Sequence, residues 1–142
     1  MTDPSPVTDR TVPHRDVDVL VVGAGPAGIS AAIHLHCAGR DVLVVDKSVF
    51  PRDKCCGDGL TTLALRELET LGLDPIEVEG WMDVGGAWLR SPDGLDVHVP
   101  LPREGRFAAV APRRSLDHAL VQLARDLGID VHDGCGFRSI DI

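Results

Sequence analysis

Three glycines and one carboxylate mark the place where chemistry is readable first. Gly23-Ala24-Gly25-Pro26-Ala27-Gly28 is a G-x-G-x-x-G turn, and Asp46 follows it within a unit of about 30 residues. Gly23 permits a tight turn, Gly25 leaves room for a diphosphate to reach the backbone, and Gly28 lets a helix pack closely on a strand. Pro26 suits the first helical turn, where its missing N–H costs nothing, and Ala27 continues that turn. Free amides at such a helix start, with the helix dipole, favour phosphate. A carboxylate at position 46 is placed to accept a ribose 2′-hydroxyl and disfavours a 2′-phosphate, which argues against NADP at this turn. The bland reading is a glycine turn in a βαβ unit with no ligand.

The elements that must position these residues are equally plain. The runs 17–22 and 41–46 are nearly all apolar, as in parallel strands covered on both faces. Between them, Pro26 to Ala38 reads as a helix closed by Gly39. The loop after Asp46 runs to Gly57-Asp58-Gly59 and feeds a helix with Leu60, Leu63, Ala64, Leu68 and Leu71 at helical spacing, ended by Gly72. A second glycine turn at a second helix start, on the same side of the sheet, would suit a further part of a long cofactor. A plain connecting loop reads equally well. Residues 86–90 and 95–99 predict a hairpin around Ser91-Pro92-Asp93-Gly94, with Leu95, Val97 and Val99 half-buried. Trp88 is expected to pack against the sheet or core, and His98 to be exposed. Residues 107–111 read as a short strand. Leu116, Ala119, Leu120, Leu123, Ala124 and Leu127 mark an amphipathic helix closed by Gly128. Residues 129–132 then read as a parallel strand and 137–142 as one more strand. Residues 1–15, with Pro4, Pro6 and Pro13, read as a flexible leader.

Bulk properties narrow the class. At 142 residues the chain is one domain's worth, and its net charge of −8 weighs against a general nucleic-acid binder. No run approaches the about 18 apolar residues of a membrane span, and the N-terminus lacks a signal-peptide pattern. A cytoplasmic location is the default expectation. The four cysteines form no C-x-x-C pair. His34, His36 and Cys37 resemble a metal set on paper, but 34 and 36 point to different faces of a helix, so no metal site is assigned.

A more specific pattern joins these pieces. The glycine turn, Asp46-Lys47, Phe50-Pro51-Arg52-Asp53-Lys54-x-Cys56-Gly57-Asp58-Gly59-Leu60, and Arg113-x-x-Leu116-Asp117-x-x-Leu120 occur in order. Together they resemble the geranylgeranyl reductase family, FAD-dependent oxidoreductases of the group that includes para-hydroxybenzoate hydroxylase. The resemblance covers residues 16–142. It implies an α/β, Rossmann-like FAD-binding βαβ domain with a β-hairpin or meander insertion. It also implies roles: Gly23, Gly25, Pro26, Ala27 and Gly28 on the diphosphate, and Asp46 with Lys47 at the adenosine ribose. Cys56 and Gly57 would lie beside the flavin end, Arg113 near the phosphates or ribityl chain, and Phe137 near adenine. Cys56 at a helix start reads either as a reactive thiol or as a packing residue, and no residue is assigned as catalytic. For Arg113 the arginine fork itself suits phosphate oxygens.

The resemblance further implies reduction of carbon–carbon double bonds in a prenyl or similar substrate by hydride from reduced flavin, with NAD(P)H as an external reductant. Aromatic hydroxylation on the same scaffold is the alternative within the superfamily. Two later elements of the family pattern and its substrate domain are not found in these residues, so the match is to the N-terminal part of an FAD domain, truncated. A sheet cut there would keep open edges. A homo-oligomer, a complementary chain, or a non-catalytic dinucleotide-binding fragment are readings that follow from that truncation. A simple NAD module is a further alternative. A prenyl-lipid substrate would also imply a peripheral membrane encounter.

Overall fold

A computed structural model describes residues 16–102 and 104–139. The leader expected at 1–15 lies outside the described residues, as do 140–142. Strand β1 (Val19–Val22), helix α1 (Pro26–Cys37) and strand β2 (Val42–Asp46) form the expected βαβ unit. Strand β8 (Asp130–Asp133) joins β2 to give a parallel sheet in the order β1-β2-β8. Val21 pairs with Val44, and Val44 with Val131.

All five residues of β2 are buried, as a central strand demands. Strand β1 departs from the expectation of two covered faces, since Leu20 is 40% and Val22 57% exposed. It is an edge strand of this sheet, and its Val21 face is the one that packs on the core. The core lies between the sheet and helices α1 and α3 (Arg113–Asp126), around Ile29, Ile33, Val44, Leu120 and Val121. The amphipathic spacing expected for α3 is what buries Leu116, Leu120 and Ala124. Gly39, Gly72 and Gly128 close the three helices with positive φ.

Around this frame sit two small antiparallel sheets. Strand β3 (Gly59–Thr61) and strand β4 (Met82–Asp83) flank strand β7 (Ala108–Val110). Leu60 therefore belongs to a strand, paired with Ala109, and not to the helix that follows. Helix α2 (Thr62–Leu71) is N-capped by Thr61 and buries Leu65, Leu68 and Leu71, while Leu63 is 76% exposed. The glycine turn before it thus opens a strand, contrary to the expected direct meeting of glycines and helix. Strands β5 (Gly86–Arg90) and β6 (Asp96–Pro100) form the expected hairpin, with Gly94 donating to the Ser91 carbonyl at 2.9 Å. It stands away from the core, so Leu95, Val97 and Val99 are exposed, not half-buried. Trp88 is exposed too, and its ring stacks on His98 with 4.6 Å between centroids, which replaces the expected core packing. Residues 137–139 carry no strand; an irregular segment replaces the expected one there.

Candidate functional site

The site is built where β1 ends. Gly23 takes φ +109°, a conformation that an L side chain resists, and swings the chain from β1 into α1. A Cβ on Gly28 would stand 1.8 Å from the Gly23 carbonyl oxygen, so the helix seats against the turn at a distance only glycine allows. Gly25 is extended, at φ −76° and ψ 179°, and is the N-cap of α1 with no side-chain cap. The start of the helix therefore keeps free amides.

Asp46 locks this turn. Its carboxylate accepts the Ala24 N–H and the Ser48 N–H, each at 2.8 Å, and it is nearly buried. Each oxygen keeps a second lone pair for another donor. The loop after β2 is stitched to the end of β8. Cys135 N–H donates to the Asp46 carbonyl, Gly134 N–H to that of Ser48, and Phe50 N–H to the Asp133 carboxylate at 3.0 Å. Burial pushes the Asp133 carboxyl up, but the Phe50 amide and Arg125 outweigh it and hold it below the ordinary range.

Two cavities flank the turn. One, of about 260 Å³, is lined by Val22, Gly23, Asp46, Lys47, Gly136 and Phe137 among others. The other, of about 320 Å³ and mostly apolar, is lined by Pro26, Ala27, Cys56, Asp58, Leu60 and Arg113 among others. Cys56 is exposed, and its thiol is held below the ordinary value, first by the Asp58 backbone and then by Arg113 and the Gly57 backbone. In the same lining, Glu67 of α2 accepts from Ser30 and pairs with His34 of α1 at 2.7 Å. Both partners meet the carboxylate and not each other, so the trio ties two helices and lacks the relay order of a nucleophilic triad.

The third feature is a charged cluster over Gly25. Asp117 on α3 is fully buried and accepts two hydrogen bonds from Arg113, at 2.7 and 2.9 Å. Arg52 approaches the same carboxylate, with Nη1 at 2.9 Å from Oδ2. The Asp117 carboxylate, ahead of all other influences, raises the Arg113 guanidinium further above its ordinary value. A Cβ on Gly25 would meet Nη2 of Arg52 at 3.7 Å and Nη2 of Arg113 at 3.8 Å.

These features suit a dinucleotide. The turn exposes backbone amides, cations stand over its middle glycine, and space extends to both sides. The FAD binding domain family model matches residues 16–141.

The chain belongs to the FAD-binding domain family.

Its relatives agree with the motifs. The menaquinone reductase of Mycolicibacterium smegmatis is 46% identical over 116 residues, covering 78% of this chain and 27% of that protein. A geranylgeranyl bacteriochlorophyll reductase-like structure from Thermoplasma acidophilum superposes with a TM-score of 0.73 at 28% identity, covering 89% of this chain and 32% of that one. The tetrameric form of 2-methyl-3-hydroxypyridine-5-carboxylic acid oxygenase matches with a TM-score of 0.68 at 31% identity, covering 86% and 32%. The chain spans about a quarter of the length of the menaquinone reductase. The resemblance to geranylgeranyl reductase flavoproteins is thus borne out, as is FAD as the family's cofactor.

This FAD-binding domain places the sequence-predicted residues in two groups. Gly23, Asp46, Lys47 and Phe137 line one cavity, and Pro26, Ala27, Cys56 and Arg113 the other. Gly25 and Gly28 lie in the turn between them, and Gly57 sits beside the Cys56 thiol. Arg52 and Asp117 are motif letters to which the resemblance assigns no site role. For Asp117 a signal existed: a carboxylate four residues after Arg113, inside the apolar stripe of a helix. Arg52 carried no such local signal, since its partner lies on α3. No helix of the described residues is long and apolar enough to cross a membrane.

Proposed function

We propose that this FAD-binding domain serves a flavin-dependent reductase whose substrate carries a prenyl chain. The turn itself supports the cofactor half of this reading, with an N-cap glycine facing two guanidinium groups and a cavity on each side, and the 46% identity to a menaquinone reductase supports the reductase half. When bound, FAD supplies hydride-transfer chemistry, and the protein supplies binding, orientation and electrostatics.

The residues divide that work. The backbone from Gly23 to Gly28 and Arg113 hold the diphosphate, where amides and a fixed cation meet the negative charge. Asp46 accepts from the adenosine ribose through its remaining lone pairs, with Lys47 beside it, and Phe137 covers adenine. Cys56 and Gly57 would border the flavin end, next to a mostly apolar wall. The names of the two reductase relatives support a substrate with an isoprenoid chain. That substrate implies a peripheral membrane encounter, and NAD(P)H is the proposed external reductant.

The likeness to an oxygenase favours a second reading, hydroxylation of an aromatic substrate. Anaerobic mixing of the photoreduced, FAD-loaded protein with menaquinone or a geranylgeranyl lipid separates the two. Flavin reoxidation with a gain of two hydrogen atoms in the prenyl chain supports the reductase. Reoxidation only on admitting oxygen, with a hydroxylated aromatic product, supports the oxygenase.

A further inference from the structure

The run Gly57-Asp58-Gly59 has one left-handed residue, and it is the aspartate. Asp58 takes φ +53°, while Gly57 and Gly59 lie outside that region. A side chain at such a position is strained, and glycine would take the same turn without strain. What offsets the strain is the contact that the side chain makes.

Helix α3 provides that contact. Its first turn carries Arg113 and Arg114 and no acid, and its N-cap, Pro112, makes no side-chain cap bond. Two cations at the positive end of a helix dipole are the unfavourable choice, and an anion is favoured there. Asp58 brings one from 55 residues away in sequence: its Oδ1 accepts the Arg113 N–H at 3.3 Å. The Asp58 carbonyl accepts the Ala111 N–H at 3.0 Å, on the other side of Pro112. The Asp58 N–H in turn faces the Cys56 thiol and is the first of the influences that hold that thiol low. Donor, carbonyl and carboxylate of one residue thus tie the Cys56 loop to the junction of β7 and α3. The Arg113 fork is fixed separately, by two bonds to buried Asp117. Loss of the Asp58 carboxylate therefore frees the loop and leaves the fork in place.

We propose that Asp58 is a positioning residue that fastens the Cys56–Gly57 loop to the start of α3, and that this clamp sets the preference for FAD over ADP. This rests on the dinucleotide reading of the turn. An ADP moiety on the glycine turn needs the amides and the Arg113 fork, whereas the flavin half of FAD also meets the clamped loop.

The test uses the whole chain. FAD binding is followed by quenching of flavin fluorescence, with displacement by ADP. Alkylation of Cys56 by iodoacetamide is followed against pH without cofactor, resolved from Cys55 by mass spectrometry. Asp58→Gly, which relieves the strain and removes the carboxylate, is expected to weaken FAD about 3- to 10-fold relative to ADP and to move the Cys56 midpoint up. Asp58→Asn keeps an acceptor oxygen and tolerates the left-handed turn, so it restores part of both. Far-UV circular dichroism confirms that each variant is folded. A wild-type ratio of FAD to ADP affinity in Asp58→Gly, or an equal loss of both ligands, overturns the selectivity role. An unmoved Cys56 midpoint overturns the clamp. A loss of stability with neither readout moved overturns both and leaves Asp58 a structural cap. A wild-type chain that takes neither FAD nor ADP overturns the dinucleotide reading and the selectivity role with it, while the Cys56 midpoint still decides the clamp.

Discussion

Two glycines three residues apart carry opposite expectations. A methyl on Gly28 would stand 1.8 Å from the Gly23 carbonyl oxygen and 3.0 Å from its carbon, both backbone atoms. Real Cβ contacts do not fall below 3.0 Å, so α1 or the turn must shift by roughly 1.2 Å. The shift lifts Ile29, Ala32 and Ile33, all buried, from the sheet. A gap of about 1 Å forfeits a quarter to a half of the dispersion well, and each buried isoleucine contributes about 1.5–3 kcal/mol. Packing loss is then about 1–3 kcal/mol, and backbone strain adds about 1–3 kcal/mol. The better helix propensity of alanine returns about 1 kcal/mol. Gly28→Ala should cost about 1–5 kcal/mol of an expected total of about 5–15 kcal/mol. A methyl on Gly25 meets only two arginine nitrogens beyond 3.6 Å, in a backbone conformation that alanine adopts. Gly25→Ala should stay within about 1 kcal/mol of wild type, the N-cap difference, while ADP affinity falls about 10-fold or more because the methyl occupies the phosphate's approach. Urea unfolding followed by circular dichroism reads the first quantity and ADP titration the second. A Gly28→Ala midpoint equal to wild type, or a Gly25→Ala loss as large as that of Gly28→Ala, would refute this division.

Other consequences follow from the same contacts. The Cys56 thiol is lowered by the Asp58 backbone and by Arg113, so its alkylation by iodoacetamide should reach half-maximal rate below the pH of an ordinary thiol. Arg113→Gln should move that midpoint up, and an unmoved midpoint would deny the arginine's part. Asp133 is depressed in the folded chain, so its contribution is present above the ordinary carboxyl value and is lost as pH falls through the folded one. Asp133→Asn should therefore lower neutral-pH stability and flatten the acid limb of a stability–pH curve; an unaltered acid limb would count against it. Trp88 should be quenched freely by iodide, and Trp88→Ser should alter stability by less than about 0.5 kcal/mol, because the ring stacks only on exposed His98. Protection from iodide would mean that the hairpin is covered.

What could be read from the residues was local. An apolar run, a glycine turn with a proline at the first helical position, and a second apolar run ending in Asp46 specify βαβ by their own chemistry. The heptad-like leucines of α3 do the same. What could not be read depended on partners far along the chain. Leu60 fits a helical spacing with Leu63, Ala64 and Leu68, but pairing with Ala109 of β7 takes it into a strand. Leu95, Val97 and Val99 alternate as a half-buried strand should, yet all three side chains are exposed in the hairpin. Covered faces were expected for β1 from composition alone, whereas strand order makes it an edge. In the site, the glycines, Asp46 and Arg113 were legible from motif spacing. The junction of Arg52 with Asp117 was not, because only the tertiary fold brings the β2 loop against α3.

If these residues hold FAD, the purified chain should keep it. The most direct measurement is the flavin content of the purified chain after incubation with FAD and desalting, read by absorbance, with NAD and AMP as competitors. Retained flavin should approach one equivalent and be displaced by neither competitor at equal concentration. A colourless chain, or one that binds NAD as well as FAD, would contradict it.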